Sequence, residues 1–222
     1  MGSFTIGLDL GQQDFTALVV VERLLVPPGT LTVEGLHRLA GRMVRPVEEY
    51  HVVHMQRWPL GTAYPDIVND VGRLTRRPPL STDALLVVDR TGVGTAVMDM
   101  FREAWRDGRL AGAHQPIGVT ITGGEHGNGW NLPKADLISA VQTTLQSGRL
   151  RVAPGPLVDV LQREMLAFRQ KITPSGRTQY ESPRREGEGH GDLVMALALA
   201  LAVPNTIRKP DLIDREAPAP VS

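Results

Sequence analysis

The chain has 222 residues, 41% apolar, 22% charged and 5% aromatic, with Lys+Arg and Asp+Glu both at 24 and a formal net charge of zero. That length and apolar content fit one globular domain with a buried core, and the balanced charge gives no global attraction to nucleic acid, so any DNA contact must come from local clustering. The lack of cysteine excludes disulfides, thiolate metal sites and a thiol nucleophile, while the absence of a long apolar run or a basic-then-apolar leader leads us to expect a soluble, intracellular protein with no membrane partner.

Short β-rich runs at residues 4–8 and 15–21, separated by Gly11-Gln12-Gln13-Asp14, predict a hairpin. From residue 24 to 46 the pattern is broken by Pro27-Pro28-Gly29 and Gly41, and the stretch reads as a loop-like insertion with a short helix near 33–39. Residues 50–58 read as a third strand that closes a meander. Ile67, Val68, Val71 and Leu74 form one stripe, which predicts an amphipathic helix over 65–77. The rhythm then becomes βα. An apolar strand over 84–88 ends at Asp89 and Thr91-Gly92-Val93-Gly94, a helix follows over 97–105, and a second buried strand covers 117–122. Pro133 introduces a helix over 134–146 whose stripe is Leu137, Ile138, Val141 and Leu145. A helix over 157–167 follows Pro154-Gly155-Pro156, and Pro174-Ser175-Gly176 between runs at 168–173 and 177–182 signals a hairpin. Residues 192–203 are apolar on every side and must be buried, with Pro204 expected to stop the helix. The domain is thus expected over 1–204, followed by a loose, charge-balanced tail over 205–222. A meander, then βα units, then a buried helix predicts an α/β fold: a mixed central sheet flanked by helices on both faces, ordered as in ribonuclease H-like folds.

Three carboxylates stand out. Asp9 lies in the apolar run Ile6-Gly7-Leu8-Asp9-Leu10, where an unpartnered carboxylate is costly to bury. Asp89 ends the most apolar strand, at the edge where open α/β sheets place ligands. Asp192 opens the buried helix. Taken singly, Asp89 also fits a cap before the next helix, and Asp192 a helix-start acid favoured by the macrodipole. If the strands of Asp9 and Asp89 are neighbours, both acids project together and the helix brings Asp192 to the same edge. Converging carboxylates repel unless cations neutralise them, and oxygen-only ligation suits Mg²⁺ or Mn²⁺. Two such ions about 4 Å apart can clamp the attacking and leaving oxygens of a phosphodiester.

Other residues are secondary candidates. Asp14, just past the hairpin turn, is a turn former or an outer metal ligand. Lys134 sits at a helix start, where the dipole disfavours a cation; such local conflict marks functional residues, although a solvated lysine is the alternative. His190 precedes Asp192 by two residues and fits a metal ligand, a water-positioning group or a polar loop residue. His51, His54 and His126 have no evident partner in the sequence. Between Arg169 and Arg185 stand five cations, Arg169, Lys171, Arg177, Arg184 and Arg185, against the single anion Glu181. That is either a solvated hairpin face or a grip on a DNA backbone.

The runs Ile6-Gly7-Leu8-Asp9, Val87-Val88-Asp89-Arg90-Thr91-Gly92-Val93-Gly94, Leu132-Pro133-Lys134-Ala135-Asp136-Leu137-Ile138, Phe168-Arg169-Gln170-Lys171-Ile172-Thr173 and Gly189-His190-Gly191-Asp192-Leu193-Val194-Met195-Ala196-Leu197-Ala198-Leu199-Ala200 together resemble the nuclease domain of tailed-bacteriophage large terminase subunits, in order and over nearly the whole chain. The resemblance implies a ribonuclease H-like, metal-dependent endonuclease that cuts concatemeric double-stranded DNA during genome packaging. Asp9, Asp89 and Asp192 match the family's acidic triad, and His190 its preceding histidine. Implied partners are DNA, the packaging ATPase domain of the same full-length subunit, the portal and the small terminase subunit, at work in the host cytoplasm rather than in the mature virion. Two departures stand out. Gly191 occupies a place where the family usually has a second aspartate, and no Gly-x-x-x-x-Gly-Lys-Ser/Thr phosphate loop is present. No segment reads as a recognition helix for base edges, so little sequence specificity is expected. Three readings compete. One is an actin or sugar-kinase-like nucleotide-binding module, because residues 6–13 resemble its first phosphate loop. The others are a Holliday-junction resolvase and a weakened DNA-docking domain marked by Gly191.

Overall fold

The strand β1 (Ser3–Asp9) forms the centre of a sheet: Ile6 and Leu8 bury one face, and Thr5 and Gly7 leave the other small enough for a helix backbone to lie against it. It pairs antiparallel with β2 (Thr16–Val26), which pairs antiparallel with β3 (Val47–Trp58). On its other side β1 pairs parallel with β4 (Ala84–Asp89), followed by β5 (Ile117–Thr122) and β6 (Asn131–Pro133), while β7 (Leu150–Val152) adds parallel to β3. The order of the seven strands is β6-β5-β4-β1-β2-β3-β7. The computed structural model describes residues 2–11, 14–26, 46–92, 94–124, 127, 129–172, 178–181 and 191–207.

Helices α1 (Tyr64–Thr75) and α2 (Gly94–Arg106) cover one face, packing Ile67, Val68, Val71, Met98 and Phe101 on Ile6, Leu8, Leu18 and Val88. The other face carries α3 (Lys134–Gln146), α4 (Val158–Ala167) and α5 (Asp192–Ile207), whose Leu137, Leu161 and Leu197 pack on Ala17, Val19 and Val87. Helix α5 lies so near β1 that a Cβ on Gly7 would sit 1.9 Å from the Ala196 carbonyl oxygen. The helix-on-both-faces mixed sheet is the architecture expected from the sequence.

Three details differ. Strand β2 runs to Val26, into the stretch expected to be a loop from residue 24; 27–45, with the expected short helix, lies outside the described residues. The strands β6 and β7 have no counterpart among the elements expected from the sequence. Pro204 does not stop α5, which continues to Ile207: the missing N–H falls in the last turn and removes one hydrogen bond there. The rest of the tail, 208–222, lies outside the described residues. A separate hairpin, β8 (Arg169–Ile172) and β9 (Thr178–Glu181), follows α4 as expected. No described helix is long and apolar enough to cross a membrane.

Candidate active site

Register brings the first two acids together. Leu8 lies opposite Val88 in the parallel β1–β4 pair, so Asp9 and Asp89 leave adjacent strands at the same level. Both follow residues that face α5, Gly7 and Val87, and alternation along the strands points them to that side. Asp192 is the first residue of α5. The three acids thus meet at one sheet edge.

Their charges act on one another. Burial pushes the Asp9 carboxyl well above its ordinary value, and the charges of Asp89, Asp192 and Glu164 push the same way against Lys134. Burial also raises Asp89, opposed by hydrogen bonds from Thr91 and by the charge of Lys134. The Thr91 backbone N–H donates to Asp89 Oδ1 at 2.7 Å, and Thr91 Oγ1 accepts from the Ile121 N–H at 2.7 Å. This ties the Asp89 carboxylate to the neighbouring strand.

Two site residues escape a reading of the sequence alone. Glu164 on α4 and Arg57 on β3 complete a buried ion network: Arg57 Nη2 lies 2.5 Å from Glu164 Oε1 and 3.1 Å from Asp192 Oδ2. Asp89, Glu164 and Asp192 are only 7%, 6% and 4% exposed, so each carboxylate requires a partner. Glu164 Oε2 also accepts from the N–H groups of Leu193 (2.9 Å) and Val194 (3.2 Å), capping the first turn of α5 from another helix. Burial raises the Glu164 carboxyl, Arg57 lowers it, and Asp192 raises it further. A signal for Glu164 is present in the sequence: it lies three residues after Leu161 on the buried face of α4, where an unexplained acid merits attention.

Arg57 is concealed by a β-bulge. Val20 pairs with His54 but Val21 with Val52, leaving Val53 as an extra residue. Tyr50 and Val52 face α5, so strict alternation would point Arg57 away. The extra residue reverses the parity. Trp58 therefore joins the α1 side, donating from Nε1 to Asp70 Oδ2 at 2.8 Å, and Arg57 faces the acids.

The other candidates fall in several places. Lys134, the first residue of α3, acts electrostatically on both Asp9 and Asp89, and its Nζ lies 5.6 Å from the centre of the Phe168 ring. Asp14 lines a shallow hollow with Gly11, Thr16, Pro59 and Tyr64 past the first hairpin. Arg169 and Lys171 lie in β8. Arg177, Arg184, Arg185, His190 and His126 lie outside the described residues. His51, expected to lack a partner, has Nε2 3.0 Å from Glu49 Oε2, a contact between neighbours two apart on one strand face. Gly191 has φ +91°, and a Cβ there would meet Phe168 Cε2 at 2.3 Å. Backbone and packing therefore both oppose an aspartate at this position.

The donor set suits a hard cation. Every oxygen donor it offers is a carboxylate, and four carboxylates (Asp9, Asp89, Glu164, Asp192) meet two cations (Arg57, Lys134), an excess of two negative charges when all are ionised. Among the described residues no three acidic or histidine side chains converge tightly enough to bind an ion together; Asp192 is turned toward Arg57.

Neither a protein-family model nor a curated protein sequence matches the chain. Solved structures do. The large terminase nuclease of thermophilic phage G20c with bound magnesium superposes with a TM-score of 0.58 at 22% identity, over 90% of this chain and 80% of that one. The fold is that of a large terminase nuclease. The same phage nuclease with bound cobalt gives a TM-score of 0.56 at 24% identity, over 90% and 80% of the two chains. The large terminase of a second thermophilic bacteriophage gives 0.55 at 11% identity, over 92% of this chain but 40% of that longer one. In this chain β1, β4 and α5, the elements that carry Asp9, Asp89 and Asp192, pack together.

Proposed function

We propose that this chain is the nuclease portion of a large terminase subunit, a metal-dependent endonuclease that hydrolyses phosphodiester bonds of concatemeric double-stranded DNA with little sequence specificity. The observation that carries the reading is the meeting of Asp9, Asp89 and Asp192 at one edge of this fold, with a surplus of negative charge. The magnesium and cobalt bound by the G20c nuclease support the choice of a divalent cation.

In this reading Asp9, Asp89 and Asp192 hold Mg²⁺ or Mn²⁺, two ions in all, with Asp14 as an outer ligand. Bound there, the ions supply charge neutralisation at the phosphate and an attacking water of lowered pKa. Lys134, held at the start of α3 beside Phe168, offers its ammonium to a phosphate oxygen. His190, next to Gly191, positions water. The hairpin cations Arg169, Lys171, Arg177, Arg184 and Arg185 follow Phe168 in the chain and grip the backbone without reading bases. The packaging ATPase domain, the portal and the small subunit are the proposed partners, and the host cytoplasm the proposed place of action. The longer bacteriophage terminase, of which this chain spans 40%, supports a longer subunit.

The test is nicking of supercoiled plasmid in Mg²⁺, Mn²⁺ or EDTA by the wild type and by Asp9→Asn. Metal-dependent nicking that Asp9→Asn abolishes is the expected result. A folded wild-type protein that neither nicks nor binds DNA in any metal would defeat the reading.

A further inference from the structure

Arg57 is an unusual resident of a site built for cations. It meets Glu164 and Asp192 through the single atom Nη2, at 2.5 Å and 3.1 Å, rather than as a two-pronged fork, and its buried Nε has no hydrogen-bond partner. The bond to Asp192 is the longer of the two. Glu164 in turn is anchored through its other oxygen by Leu193 N–H and Val194 N–H. The guanidinium also lies over the Phe15 ring, 4.5 Å from its centre. Arg57 therefore has two fixed supports, Glu164 and Phe15, that do not depend on Asp192.

We propose that Arg57 is an internal counter-cation that competes with a divalent metal ion for Asp192, so that metal binding opens the Arg57–Asp192 ion pair while the Arg57–Glu164 pair persists. The inference rests on the metal-dependent reading above. Opening one bond does not strand a buried guanidinium, because Glu164 remains as its partner. Nor does it strand Asp192, which exchanges one cation for another. Arg57 thus lowers metal affinity while holding Asp192 ready at the edge, and it is a positioning residue rather than a catalytic one.

The test is Mn²⁺ binding to the whole chain without DNA, by isothermal titration and by the paramagnetic resonance signal of free Mn²⁺. The proteins are the wild type, Arg57→Met, and the double variant Arg57→Met/Glu164→Gln. Both variants are expected to bind Mn²⁺ about tenfold more tightly than the wild type, the factor set by removing one competing charge-assisted hydrogen bond. The double variant matters for two reasons. It removes one charge of each sign, so a gain there reports the lost competition rather than a changed net charge. The Glu164→Gln change also keeps a side-chain oxygen that accepts from the Leu193 and Val194 N–H groups, so the double variant serves if Arg57→Met alone fails to fold. Affinity equal to or weaker than wild type in the folded variants overturns the inference alone. No Mn²⁺ binding by any of the three, wild type included, overturns it together with the metal-dependent reading.

Discussion

Gly7→Ala tests whether α5 sets the position of the third acid. An added Cβ would lie 1.9 Å from the Ala196 carbonyl oxygen and 2.9 Å from the Ala200 nitrogen. Carbon–oxygen contacts settle near ~3.3 Å, so α5 must retreat from β1 by about 1.4 Å. Both neighbouring atoms are helix backbone and cannot rotate aside. A gap of even 0.5–1 Å forfeits roughly a quarter to a half of each lost contact, and the α5 face that withdraws carries the fully buried Leu193 and Leu197. The expected cost is about 3 kcal/mol, at the upper end for overpacking, or a fall in Tm of roughly 6–12 °C for a chain of this size. Thermal unfolding followed by circular dichroism measures it. Gly155→Ala is the control, since a Cβ there meets nothing within 4 Å, and its Tm should hold or rise slightly. Because Asp192 rides on α5, metal-dependent nicking by Gly7→Ala should fall even at temperatures where the variant is folded. A Tm within 1–2 °C of wild type, roughly what a change under 0.5 kcal/mol gives, would refute the close approach of α5 to β1.

Other outcomes follow from the same geometry. Asp9, Asp89 and Glu164 have folded-state carboxyls raised above their ordinary values of 3.8, 3.8 and 4.5, so between those values and the raised ones the folded chain holds more protons than the unfolded. Their contribution to stability in EDTA therefore falls as pH rises through that window; Asp9→Asn should melt above wild type at pH 7 and match it near about pH 4, and a lower melting point at pH 7 would contradict the account of Asp9 as a carboxylate destabilised by burial and by its acidic neighbours. Gly191→Asp should lose ~2–3 kcal/mol from positive φ and the Phe168 contact and gain no nicking activity, with Gly191→Ala losing a similar amount; faster nicking by Gly191→Asp at unchanged Tm would show that the position accepts a further acid. Trp58→Phe should cost about 1 kcal/mol in thermal unfolding by removing the 2.8 Å bond from Trp58 Nε1 to Asp70, and an unchanged Tm would argue against Trp58 facing α1.

What was legible in the sequence was whatever depends on neighbours along the chain. The helix from Lys134 to Gln146 has a proline before it and a regular apolar stripe, and the structure has the same bounds. Asp9 and Asp192 were visible because a carboxylate inside or at the head of an apolar run needs a reason, and Asp89 because it ends such a run. By contrast β6 and β7 are three residues each, too short to show alternation, and they exist only because β5 and, much earlier in the chain, β3 offer open edges to them. Pro204 reads by local rule as a stop, and the buried helix overrides it.

The sequence by itself therefore determined the order of the longer elements, their apolar faces and the placing of Asp9, Asp89 and Asp192 within or at the ends of apolar runs, because periodicity and the cost of burying charge are local properties. Only the tertiary structure decided which charges meet. A single extra residue at Val53 turns Arg57 toward Asp192, and the packing of α4 against α5 delivers Glu164 to both. Parity across a bulge and proximity between distant helices are set by pairing and packing, which act between segments and leave no period in the chain to read.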